Sequence, residues 1–347
     1  MNRLLQLLIF FPSFVLADDF FGPLETDIGD MVLPCTFAPL FLNPSDDPAI
    51  LALGASWEKG YTTPSDSYIT LLRDTLNEEY FDEGQEADLH VLAENDKRLV
   101  DVVWGQLDDG CRIVGEHRNQ GVVMIIGMTN DISHPVLLSG RCLGRRGNFE
   151  SCVEAAHAFP GYDGMEVAQQ QLSWIAHRLA DTAAINLDID GFHEFAEKTK
   201  LIIVQSVNPL DALHASTGLT SCATLDGLDP DSVRYDFYDL VSWVDFILGS
   251  PDAIKSPKNV PDGWVPWRER TAQVVEEIET NFPNLDVQVL DLHQVLDVRL
   301  RGLIGASLGD GSVNDCYHLT ELGEERVCKA MANRLGVSGD WCTFNVD

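Results

Sequence analysis

Three short segments carry residue types that can do acyl-transfer chemistry together. Gly54-Ala55-Ser56 follows an apolar run, Ala49 to Leu53, and precedes a helical pattern. Small residues there permit a tight strand-to-helix turn that presents a hydroxyl at the carboxyl edge of a sheet, where open α/β sheets place their sites. By itself a Gly-x-Ser after a strand is most often only a turn. Gly127-Met128-Thr129-Asn130-Asp131 follows another apolar run. The Asn130 amide is a candidate donor to a developing oxyanion, and an Asx turn closing the strand is the plain alternative. Asp315-Cys316-Tyr317-His318 lies just before the last helical pattern. A carboxylate and an imidazole three residues apart can meet on one turn, where the acid orients the ring and stabilises its cation after proton uptake from a serine. A polar helix entry with Asp315 or Thr320 as a cap accounts equally for those residues taken alone.

These segments need a scaffold, and the hydrophobic pattern supplies one. Strands are expected at 49–53, 87–93, 121–127, 200–205 and 286–292. Helices are expected at 67–76, 99–107, 169–183, 268–280 and 320–335. Strands alternating with helices predict an α/β fold, a three-layer α/β/α sandwich with a mostly parallel five-stranded sheet. Residues 132–199 and 206–285 are long spacers, read as insertions over one sheet. No linker divides 48–347, and no internal repeat is visible.

In this order and context, Gly54-Ala55-Ser56, Gly127-Met128-Thr129-Asn130-Asp131 and Asp315-x-x-His318 resemble the motif blocks of the SGNH (GDSL-type) hydrolases. The resemblance covers roughly residues 49–335, apart from the insertions. It implies a flavodoxin-like sheet and an esterase or lipase mechanism. Ser56 then matches the nucleophile, His318 the general base and Asp315 its orienting partner. Asn130 and the Ser56 backbone N–H match the oxyanion donors, and no cofactor or metal is implied. The chain departs from the family at three places. Ala55 replaces the acid of the usual Gly-Asp-Ser. Gly127 stands one residue earlier than Gly-x-Asn-Asp requires, with Met128 in its place. The loop Glu94-Asn95-Asp96-Lys97-Arg98 lacks the glycine of the second block, whose backbone N–H completes the oxyanion hole. Any non-proline residue has such an N–H, but losing one donor costs ~100- to 1,000-fold in rate.

The remaining features bound the setting. Met1 to Ala17 reads as a cleavable secretory signal, with Arg3, an apolar run from Leu4 to Leu16 and small residues before Asp18-Asp19. Residues 18–47 read as an irregular leader. All eight cysteines lie beyond the signal, which suits disulfides in an exported protein. Cys142 with Cys152 is the simplest local pairing. The formal charge is −32, and loss of Arg3 with the signal makes it −33. So acidic a chain is a poor nucleic-acid binder and a poor ligand for anionic membranes. Residues 186–197 fit an EF-hand calcium loop in part, although an acidic connector explains them too.

Two functions lead at this point, and a calcium-binding interaction protein, resting on residues 186–197 alone, ranks last. One is a secreted serine esterase, without a stable membrane anchor, acting on a small-molecule, glycan or lipid ester: a carbohydrate acetyl ester or a lipid acyl ester. The other is a catalytically impaired protein of the same fold that binds a glycan or a protein partner.

Overall fold

The computed structural model describes residues 44–60, 67–95, 97–128, 130–131, 165–184, 195–205, 265–296, 318–319 and 321–344. The signal segment, residues 18–43 of the leader, Asp315, Cys142 with Cys152, and most of the 186–197 loop lie outside these. All described residues belong to one compact unit, Pro34–Asp347.

Five strands form one parallel sheet: β1 (Ala49–Leu53), β2 (Asp88–Val91), β3 (Val122–Gly127), β4 (Lys200–Gln205) and β5 (Asp286–Asp291). Their spatial order is β2-β1-β3-β4-β5, the flavodoxin-like order of doubly wound sheets. The helices are α1 (Ser56–Lys59), α2 (Tyr68–Glu79), α3 (Leu99–Asp101), α4 (Leu107–His117), α5 (Met165–Ala184), α6 (Val265–Asn281), α7 (Leu292–Leu296) and α8 (Glu321–Arg334). A π-helical turn, Val102–Gln106, joins α3 to α4.

Alternation along the central strands makes two cores. Leu51, Leu53, Met124, Ile126, Leu201 and Ile203 face one side and pack with residues of α4, α5 and α6, among them Val114, Ile175 and Ile278. Ile50, Ala52, Val123, Ile125, Ile202 and Val204 face the other and pack with α2, α7 and α8 through Leu72, Leu76, Leu296, Val327 and Met331. A central strand buried on both faces reads as a continuous apolar run, as β1 and β3 do. The expected three-layer sandwich is therefore present, and all four strand pairings are parallel.

The element boundaries follow local chemistry. Ser67 caps α2, its Oγ accepting the Thr70 N–H at 3.3 Å. The helical stretch expected to end at Leu107 continues through the π turn to His117. Gly110, which weakens an isolated helix, lies against the sheet here. A Cβ at that position would sit 3.4–3.5 Å from the side chains of Leu51 and Leu53, in ordinary van der Waals contact with β1. At the far end, Cys328 of α8 and Cys342 form a disulfide. Cys111 of α4 is also disulfide-bonded.

The winding reverses once. The chain leaves β1 toward β2 on one side, then crosses back to β3 on the other side of β1 before continuing to β4 and β5. The carboxyl ends of β1 and β3 therefore flank the topological switch point, where doubly wound sheets leave a crevice for ligands.

Candidate active site

The turn after β1 opens into that crevice. Gly54 has φ +139°, a conformation that favours glycine. Ala55 is extended, and Ser56 begins α1. The buried Gln106 side chain holds the turn from both sides: Gly54 N–H donates to its Oε1 at 2.9 Å, and its Nε2 donates to Gly54 O at 3.0 Å. Gln106 is the last residue of the π-helical turn, an irregularity that occurs often at functional sites because it re-aims side chains. Glu94 N–H, just after β2, also donates to Gly54 O, at 3.2 Å.

Ser56 is 4% exposed. Its Oγ lies 2.7 Å from Nε2 of His318, a residue 262 positions away in the chain. His318 is half-buried and comes just before α8. The next residue, Leu319, is buried in the α2–α8 core and anchors the segment. A hydroxyl and an imidazole nitrogen at this separation are within proton-transfer distance.

The loops after β2 and β3 are tied together. Asn130 Nδ2 donates to Lys97 O at 3.0 Å. The Asp131 carboxylate accepts the Leu99 N–H through both oxygens, at 3.1 and 3.0 Å. Asn130 is buried, and its Oδ1 accepts no hydrogen bond among the described residues. One of its two amide hydrogens is thus used to hold the second loop, and the other is not committed by that bond. The glycine-free segment after β2 is fixed by these side chains from the neighbouring loop.

A buried carboxyl network supports the serine turn, and the motif reading missed it. Glu58 is fully buried two residues after Ser56. Its Oε2 accepts the Ala55 N–H at 2.9 Å, the reciprocal half of a capping box. Its Oε1 accepts the Tyr68 hydroxyl at 3.3 Å. The Tyr68 backbone N–H donates in turn to Glu324 Oε2 at 2.9 Å. Tyr68 thus joins a carboxyl on α1 to one on α8, the helix that follows His318. Burial pushes Glu58 up to about 7 and Glu324 up to about 8, with the hydrogen bonds opposing the rise. The Tyr68 hydroxyl is raised well above its usual value, by burial first and then by the two carboxyls. Glu58 lies only three residues from Ala55, but alanine at the N-cap offers no side-chain cap, so the capping-box signature is absent from the sequence. Its partners at 68 and 324 have no local signature.

The fold and this geometry define a doubly wound α/β protein with a serine–histidine pair at its switch point. No family model matches the chain, and neither does any curated protein. Solved structures of GDSL-type lipases and esterases align over most of it at low identity. An extracellular lipase from Streptomyces rimosus is 13% identical over 83% of this chain and 99% of its own, with a TM-score of 0.41. A protein from Parabacteroides merdae assigned as a GDSL-like lipase is 9% identical over 85% and 98%, with a TM-score of 0.42. A psychrotrophic esterase, EstA, from a Pseudoalteromonas species, in a form inhibited by monoethylphosphonate, is 10% identical over 84% and 97%, with a TM-score of 0.37.

Proposed function

We propose that the chain is a secreted serine esterase that hydrolyses carboxylic esters through an acyl-enzyme. The observation that carries this reading is the 2.7 Å contact between Ser56 Oγ and His318 Nε2 at the switch point of the sheet. Ser56 attacks the ester carbonyl while His318 takes its proton. The tetrahedral intermediate collapses as His318 returns the proton to the leaving alcohol. Water, deprotonated by the same imidazole, then releases the acid and restores Ser56. Asp315 orients the His318 ring in this scheme, a role that rests on the D-x-x-H spacing. The Ser56 N–H and the Asn130 amide donate to the oxyanion. The Ser56 N–H is a first-turn helix amide, one of those a helix leaves without an intrahelical acceptor.

The substrate class follows from charge. A strongly acidic chain repels anionic interfaces, so neutral esters, acetylated carbohydrates foremost and lipid acyl esters next, suit it best. Export rests on the 1–17 segment. The alternative, a binding protein of the same fold with impaired catalysis, draws on the tie between Asn130 Nδ2 and Lys97 O, which engages the proposed oxyanion donor.

The test is labelling of the purified protein with a fluorophosphonate, with mass mapping of the modified residue and a panel of p-nitrophenyl and acetyl-carbohydrate esters. Label on Ser56 with turnover supports the esterase. Ligand binding without label or turnover selects the alternative.

A further inference from the structure

The edge strand β2 carries an unusual face. Leu89 and Val91 pack into the α2–α8 core. Asp88 and His90 alternate with them and so point to the opposite face, the one covered by α4. His117, the last residue of α4, meets them there. One ligand atom from each of Asp88, His90 and His117 lies within 4.8 Å of the others. The cluster sits toward the amino ends of the strands, since Asp88 pairs with Ala49 and His90 with Leu51. It is therefore separate from the Ser56 crevice at the carboxyl ends.

Three details go beyond a chance meeting of polar side chains. His117 is 3% exposed, and its Nδ1 lies 2.8 Å from Asp47 O. A backbone carbonyl accepts only, so Nδ1 carries the proton and Nε2 presents its lone pair, the second-shell arrangement usual for a metal-ligating imidazole. That Nε2 is 3.7 Å from Asp88 Oδ2. Two ligands on one tetrahedral zinc ion are separated by about 3.3 Å. Finally, His90 Nε2 is buried and makes no hydrogen bond among the described residues. The setting suits a cation as well, because the carboxyl end of α4 points its carbonyl dipoles here.

We propose that Asp88, His90 and His117 form a three-ligand site for a divalent transition ion of the zinc class. Two imidazoles and a carboxylate are borderline ligands that suit Zn²⁺ or Co²⁺ better than Ca²⁺ or Mg²⁺. Asp88 is exposed, so a fourth position faces solvent. The ion would clamp the edge strand to the end of α4 and to the Asp47 segment, which Ser45 N–H already ties to Glu116 O at 2.6 Å. Its role is structural and remote from ester hydrolysis.

The test uses the whole mature chain with its disulfides intact, stripped with EDTA and titrated with Co²⁺. Visible absorption should saturate at one ion per chain, and Zn²⁺ should displace it. Zn²⁺ should also raise the melting temperature. Asp88→Asn and His90→Gln should each weaken Co²⁺ binding at least about tenfold and abolish the Zn²⁺-induced rise. Both should melt with the parent in EDTA, which excludes a folding defect, and should leave ester turnover unchanged. Lack of saturable binding, or binding and a melting rise that persist in both variants, would overturn the site and leave His117 and Asp88 as a simple polar pair. The readout is binding, so it stands or falls separately from the esterase reading.

Discussion

The Glu58 carboxyl fills the volume that a side chain at Gly127 would need: a Cβ built on Gly127 would collide with its Cδ and both oxygens. A Cβ on Gly54 would likewise fall 2.7 Å from Glu58 Oε2, and 3.1 Å from Gly127 Cα. The two glycines and the glutamate form one packed unit between the ends of β1 and β3. Glycine is required at 127 by this acid. At 54, backbone conformation demands it too.

Gly127→Ala should therefore act on the serine turn from the neighbouring strand. The Cβ must displace Glu58, releasing the Ala55 N–H and the Tyr68 hydroxyl, with loss of about 1–3 kcal/mol for each buried group left unpaired. Urea unfolding gives the stability change. A chain as stable as the parent would show that Glu58 has another place to go.

Replacing Ser56 by Ala should lower ester turnover by about ten-thousand-fold or more, and replacing His318 by Gln should do the same without an additive effect in the double variant. Steady-state kinetics and fluorophosphonate labelling measure both. Asn130→Ala should reduce kcat by ~100- to 1,000-fold with little change in KM, as expected for a donor used in the transition state. A comparable rise in KM with kcat unchanged would assign Asn130 to substrate binding instead.

Gln106→Ala should destabilise by roughly 1–3 kcal/mol, because Gly54 N–H loses its partner in a buried turn. Gln106→Glu keeps the shape and the acceptor but faces Gly54 O with an oxygen in place of a donor. Thermal melting of the two variants separates lost packing from lost hydrogen bonding. If Gln106→Glu melts with the parent, the Nε2 contact contributes nothing.

Stability should depend on pH through Glu58 and Glu324. Their ordinary value is 4.5, and the fold raises them to about 7 and about 8. Between pH 4.5 and about 8 the folded chain holds protons that the unfolded chain has released, so this contribution is complete below 4.5 and is lost as pH rises through the window. Glu58→Gln combined with Glu324→Gln should flatten that slope. Urea midpoints measured from pH 4.5 to 8.5 check it, and an unchanged slope would exclude both carboxyls as its source.

Much of the scaffold was legible in the sequence because its signals are local. The apolar runs at 49–53 and 200–205 are strands with those bounds, since continuous burial leaves no period to misread. The helices at 169–183 and 268–280 begin a few residues earlier and end one residue later. Ser56, Asn130 and His318 were legible as types in the right order after the right elements. Only the tertiary structure decided that Ser56 meets His318 across 262 residues, that Asn130 and Asp131 hold the loop after β2, and that Gln106 pins Gly54. It also decided that Glu58, Tyr68 and Glu324 share one buried network, and that His117 joins Asp88 and His90. Periodicity and capping are written within a few residues of chain. Packing a helix on a sheet brings together side chains whose spacing in sequence carries no trace of the contact.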